Sequence, residues 1–153
     1  MANTYTQIYV QIVFAVRERD GLIAPEWKEE LFKYIAGIIK NRGQKLIAIG
    51  GVADHIHILI AASPDIALSD LVREIKTASG KWINGRRLVR GKFYWQEGFG
   101  AFSYSKSQLD DVAKYVLNRE IRHREQSFKH EYIGMLRKFD VDYDERFVFE
   151  FFE

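Results

Sequence analysis

The sequence predicts an α+β fold. It is a ferredoxin-like split βαβ arrangement, an antiparallel sheet with both crossover helices on one face, and an extra helix appended at the C-terminal end. Three observations predict it. Residues 7–16 (QIYVQIVFAV) alternate apolar and polar with the period of a strand. Two later segments, opening near Pro25 and Ser69, repeat apolar residues at helical spacing. Short β-prone runs lie between and after them, which gives the order strand–helix–strand–strand–helix–strand.

In the first strand, Ile8, Val10, Ile12, Phe14 and Val16 share one side, while Gln7, Tyr9 and Gln11 share the other. Pro25 opens a helix that carries Trp27, Leu31, Tyr34, Ile35, Ile38 and Ile39 inward, with Gly43 as its stop. Residues 45–52 (KLIAIGGV) and 55–61 (HIHILIA) are two short strands, with a turn at Gly50-Gly51 to Asp54. The second helix is capped by Ser69, places Leu71, Val72, Ile75, Ala78 and Trp82 inward, and ends near Gly85. Aromatic, β-prone segments follow at 93–96 (FYWQ) and 101–105 (AFSYS). Ser107 and Asp110 then read as a capping box that starts a helix running to about residue 126.

The whole chain bounds the function loosely. At 153 residues it fits one domain, 1–153, with a sizeable core. It has no cysteine, which excludes disulfides and thiolate metal sites. The N-terminus lacks the order of a signal peptide and no apolar run reaches membrane-spanning length, so a cytoplasmic location is expected. A net charge of +2 and a pI near 8.8 are too mildly basic to indicate nucleic acid by themselves.

Two of the four histidines sit two residues apart in Asp54-His55-Ile56-His57-Ile58-Leu59. If Ile56, Ile58 and Ile60 face the crossover helices, His55 and His57 lie together on the opposite, open face. Same-side neighbours on a strand are roughly 6–7 Å apart, close enough for two imidazoles to meet on one ion. Taken alone, histidines so spaced are more often two polar residues on a wet sheet face. Two histidines also leave a metal site short of ligands.

The appended helix reads DDVAKYVLNREIRHREQSF from Asp110 to Phe128, with Tyr115, Asn118, Arg119 and Arg122 near one face. Tyr115 could be a core aromatic with its hydroxyl at the rim. A phenol becomes a useful nucleophile when its electrophile is metal-polarised or a cation lies beside it. Histidines on an open sheet face and a tyrosine on a helix able to cover it would fit phosphoryl transfer.

These residues resemble a known family. His55-Ile56-His57 looks like the histidine–hydrophobic–histidine (HUH) motif, and Lys114-Tyr115-Val116-Leu117-Asn118 like the catalytic helix of single-tyrosine transposases. The stretch from Phe93 to Ser103 (FYWQEGFGAFS) is very similar to the aromatic-glycine signature of the insertion-sequence 200/605 group, which includes the REP-associated tyrosine transposases. Tyr5-Thr6-Gln7-Ile8, Ser127-Phe128, Glu131-Tyr132 and Tyr143-Asp144-Glu145-Arg146 also match, so the resemblance covers about residues 3–147.

The resemblance implies a DNA transposase acting on single-stranded, hairpin-bearing ends. His55 and His57 would help hold Mg²⁺ or Mn²⁺ on the scissile phosphate. Tyr115 would attack the phosphorus, leaving a 5′-phosphotyrosine and a free 3′-hydroxyl. Energy kept in that bond would allow strands to be rejoined without ATP. It also implies a homodimer, in which the tyrosine helix of one subunit can serve the histidines of the other. One departure is visible: the family usually has glutamine four residues after the tyrosine as third protein ligand, and this chain has Arg119. Arginine is a cation with donors only and cannot ligate a metal.

The stretch from Lys76 to Lys92 carries Lys76, Lys81, Arg86, Arg87, Arg90 and Lys92, with Trp82 among them and Phe93, Tyr94 and Trp95 beyond. Cations that follow phosphates beside aromatics that stack on bases suit single-strand binding, and a solvated helix end suits the same residues. Arg86, Arg87, Arg90, Lys92, Arg119 and Arg122 are the candidate DNA-binding residues. Two other readings stand beside the transposase: a non-catalytic or domesticated hairpin-DNA-binding relative, and an unrelated binding module with incidental histidines. The aromatic C-terminus from Phe147 to Phe152 is expected to pack as an extended segment on the body or on a partner.

Overall fold

The alternating first strand forms as expected, and it is buried on both faces. The computed structural model describes residues 3–17, 21–118 and 127–151. Strand β1 spans Tyr9–Ala15 and lies at the centre of a four-stranded sheet with β2 (Lys45–Val52), β3 (His55–Ala61) and β4 (Gly100–Tyr104). The strand order is β2-β3-β1-β4 and every pairing is antiparallel. This is the split βαβ topology the sequence predicts.

Helices α1 (Pro25–Asn41) and α2 (Leu68–Gly85) make the crossovers. Pro25 suits the first helical turn, where its missing N–H costs nothing, and Gly43 at φ +71° ends α1 in a conformation that glycine adopts freely. Leu31, Ile35 and Ile39 of α1 and Leu71, Val72 and Ile75 of α2 are buried in one cluster with Ile56, Ile58 and Ile60 of β3 and Val10, Ile12 and Phe14 of β1. Each such side chain contributes roughly 1.5–3 kcal/mol by leaving water. The three isoleucines therefore face the crossover helices.

The other face carries a second layer. Helix α3 (Leu109–Leu117) lies over β2 and β3, where Val116 packs on Ala48 and Leu59. Helix α4 (Phe128–Lys138) lies over the β4 side, where Phe102 meets Tyr132 and Phe139. Its Ser127 cap accepts from the His130 N–H. Gly100 permits this seating, because a Cβ there would fall 2.6 Å from the Tyr132 hydroxyl.

Several local expectations differ from the structure. Residues 93–96 form only an isolated bridge, Val16 to Trp95. Phe93 and Trp95 turn into the core instead, and Gly98, at φ +84°, lies between the bridge and β4. Helix α2 starts one residue before Ser69, with Ala67 as its backbone cap, since the Asp70 and Leu71 N–H groups both donate to the Ala67 carbonyl. The capping box is Ser105 with Gln108, and a 3₁₀ turn at Lys106–Gln108 precedes α3. Helix α3 ends at Leu117 with Asn118 as cap, and the rest of the helix expected to run to about 126 lies outside the described residues. Trp82 packs against the core as expected, though only half-buried, and stacks on Tyr34.

The C-terminal segment packs on its own chain. Phe149 is buried against Phe128 and Tyr132. The Gln96 side chain donates to the Glu150 carbonyl at 2.7 Å and accepts from the Glu150 N–H at 2.7 Å, which ties the segment to the body. No helix among the described residues is long and apolar enough to cross a membrane.

Candidate active site

Strand alternation sends His55 and His57 to the face opposite the isoleucines, and α3 and α4 close over them. Both imidazoles are fully buried, so the face expected to be open is covered by the second helical layer. Phe128 stacks on the His55 ring with centroids 3.8 Å apart and planes within 6°. Tyr115 meets the His57 ring edge-on at 5.9 Å.

Each imidazole is held through Nδ1 and presents Nε2 to one carboxylate. His55 Nδ1 bonds Asp54 Oδ1 at 2.7 Å, and His57 Nδ1 bonds Gln11 Oε1 at 2.5 Å. Glu131 Oε1 lies 3.1 Å from His57 Nε2 and 3.5 Å from His55 Nε2. Its other oxygen, Oε2, accepts the Tyr115 hydroxyl at 2.6 Å. The site is thus assembled from β1, β3, α3 and α4 of a single chain.

Glu131 is buried at 4% exposure, and a carboxylate kept there needs positive charge or protons around it. Among the described residues, His55, His57 and Glu131 form a group whose ligand atoms all lie within 4.8 Å of one another. The Glu131 oxygen lies 3.1 and 3.5 Å from the two imidazole nitrogens, so the three donors converge on one point. Two imidazoles, each oriented by a partner at the far nitrogen, and one carboxylate make a fitting donor set for a divalent ion. The residues present therefore fit a metal.

The structure brings His55, His57 and Tyr115 together, and adds Glu131 and Gln11, which the sequence reading does not place among the candidates. Glu131 was noticed only as part of a matching dipeptide. Gln11 was assigned to the polar side of β1, yet it is fully buried. The one available signal was a glutamine on the same strand face as a histidine one strand over.

The basic candidates among the described residues lie elsewhere. Arg86 caps α2, donates to Glu30 at 2.5 Å and stacks over Trp82, so it belongs to the crossover-helix layer. Arg87, Arg90 and Lys92 are exposed in the loop after α2. Lys76 is half-buried, donating to the carbonyls of Gln96 at 2.8 Å and Gly98 at 2.6 Å. Arg119 and Arg122 lie outside the described residues.

Comparison with known proteins agrees with this architecture. The chain is 22% identical over 115 residues to the ISDra2 transposase TnpA of Deinococcus radiodurans, spanning 72% of this chain and 82% of that protein. A crystal structure of a Deinococcus radiodurans protein described as a transposase superposes with a TM-score of 0.61 at 19% identity, over 76% of this chain and 93% of that one. A REP-associated tyrosine transposase solved bound to a REP hairpin gives a TM-score of 0.58 at 16% identity, over 94% of this chain and 91% of that one. The family described as "Transposase IS200 like" matches residues 4–119, most of the sequence, and the chain belongs to that family.

Proposed function

We propose that residues 1–153 act as one metal-dependent transposase domain that cleaves and rejoins single-stranded, hairpin-bearing DNA through a 5′-phosphotyrosine. The observation that carries this reading is the Tyr115 hydroxyl, 2.6 Å from a carboxylate whose other oxygen meets both histidine Nε2 atoms. Nucleophile and ligand set are therefore neighbours before any substrate arrives.

His55, His57 and Glu131 would hold the ion, which when bound would polarise the scissile phosphate. Two nitrogens and a carboxylate suit Mn²⁺ better than Mg²⁺ on donor preference. Tyr115 Oη would form the new bond to phosphorus as the bond to the 3′-oxygen breaks, and that oxygen would leave as a free hydroxyl, taking up the proton that the phenol gives up. Glu131 Oε2 accepts a hydrogen bond from the Tyr115 hydroxyl, which orients the phenol and gives its proton a place to go. Rejoining runs the same step backwards, with a 3′-hydroxyl displacing Tyr115.

The hairpin bound by the REP-associated relative supports hairpin DNA as the partner here. Arg87, Arg90 and Lys92, exposed on one loop, are proposed to contact its phosphates, with Arg86, Arg119 and Arg122 as further candidates. A cytoplasmic setting fits a DNA-acting enzyme. The homodimer rests on the resemblance alone, because Phe149 is already buried within the chain and Tyr115 already reaches the histidines of its own chain.

The test is incubation of a single-stranded hairpin oligonucleotide with protein and Mn²⁺ or Mg²⁺, followed by mapping of the ends. A free 3′-hydroxyl and protein joined to the 5′-phosphate are expected. Tight hairpin binding with no cleavage in either ion would leave only the non-catalytic binding relative.

A further inference from the structure

We infer that Gln11 is a positioning residue for His57: its amide oxygen fixes the proton on Nδ1 and so presents Nε2 as the ligand nitrogen. This inference rests on the metal reading above. Gln11 and His57 lie 46 residues apart in sequence and on neighbouring strands. Gln11 pairs directly with Leu59, and Val13 pairs with His57, so Gln11 reaches His57 along the diagonal of one sheet face. That reach is within the range of a long side chain.

The amide's orientation sets the chemistry. Gln11 Nε2 donates to the Tyr104 hydroxyl at 2.8 Å, which leaves Oε1 at 2.5 Å from His57 Nδ1. An amide oxygen only accepts, so Nδ1 must carry hydrogen. The lone pair or exchangeable proton of the ring is thereby confined to Nε2, the atom that faces Glu131. Burial pushes the Tyr104 phenol up from its ordinary value, so it stays a neutral hydroxyl able to accept from the amide. Gln11 is fully buried, and a glutamine with neither partner would be costly there.

Asp54 does for His55 what Gln11 does for His57, with one difference. A carboxylate beside His57 would add a second buried negative charge near Glu131. A neutral amide oxygen orients the ring without that charge. This accounts for a glutamine at the position.

The experiment is ¹⁵N-histidine NMR of the whole protein with and without Mg²⁺, and calorimetric titration with Mn²⁺, for wild type, Gln11→Met and Gln11→Glu. In wild type, His57 should show a protonated Nδ1 in both conditions, with any proton change confined to Nε2. Gln11→Met, similar in shape but without the acceptor, should lose the Nδ1–H signature and bind Mn²⁺ about 10–100-fold more weakly. Gln11→Glu should keep the signature and recover most of the affinity. Wild-type Mn²⁺ affinity and an unchanged His57 tautomer in Gln11→Met would overturn the assignment. So would an unprotonated Nδ1 in wild type, a result that needs no variant to fold. Absence of Mn²⁺ binding by wild type would refute the metal reading instead, and the Nδ1 signature would then decide the role of Gln11 by itself.

Discussion

The Tyr115 hydroxyl donates to Glu131 Oε2 at 2.6 Å across the seam between α3 and α4. Sixteen residues separate the two in sequence, and they sit on different helices. The contact links the proposed nucleophile to the carboxylate that completes the histidine pair. On the proposed reading, Glu131 would stand in for the glutamine that the resemblance implies four residues after the tyrosine, where this chain has Arg119.

Glu131→Gln tests that role. The substitution keeps shape and removes the charge that the two Nε2 atoms face. Mn²⁺ affinity is expected to fall by more than the 10–100-fold typical of residues that only orient a ligand. Stability of the metal-free protein should hold or rise, because a buried carboxylate is removed. Calorimetry and thermal unfolding read the two effects separately, and an unchanged Mn²⁺ affinity would remove Glu131 from the ligand set.

Gly100→Ala tests how α4 is seated. The new methyl carbon would meet Tyr132 Oη at 2.6 Å and Cε1 at 2.8 Å, so the ring must move, and Glu131 is its immediate neighbour on α4. A loss of about 1–3 kcal/mol in denaturant unfolding is expected from such overpacking, together with weaker Mn²⁺ binding. Wild-type values for both would mean that Tyr132 shifts without moving the helix.

Much of the fold was legible because burial follows short-range pattern. The run Ile56, Ile58, Ile60 announces which face of β3 meets the crossover helices, and His55 and His57 follow by alternation. Gln11 lies on the side of β1 that the alternation gives it, but alternating polar residues read as solvent-facing, and only α3 and α4 make that face an interior. Glu131 looks like any acid on a helix until α4 is laid against β1, β3 and β4. The segment 93–96 has strand-like composition but little strand to pair with, so Trp95 enters the core and donates through Nε1 to Ser79 Oγ at 3.0 Å. Composition could not show the missing neighbour.

Lys76 gives the stability a pH signature. Burial pushes its ammonium down to about 8 from 10.5, against the opposing pull of Glu97. Between those values the unfolded chain binds the extra proton, so stability should rise with pH across that window. Tyr132, pushed by burial up to about 12 from 10.0, acts in the opposite sense above pH 10. The rise should therefore be seen from about pH 8 to 10 and be flattened in Lys76→Met. Parallel curves for the two proteins would contradict the assignment.

Tyr115 is proposed as the nucleophile of a metal-dependent strand cleavage. The most direct measurement is covalent protein–DNA adduct on a labelled single-stranded hairpin substrate in Mn²⁺, comparing wild type with Tyr115→Phe. The substitution removes only the hydroxyl that Glu131 accepts and leaves the ring against His57. Adduct should form with wild type, disappear on chelation of the metal, and be absent from Tyr115→Phe, while hairpin binding stays near wild type. Adduct at the wild-type level in Tyr115→Phe would contradict the account.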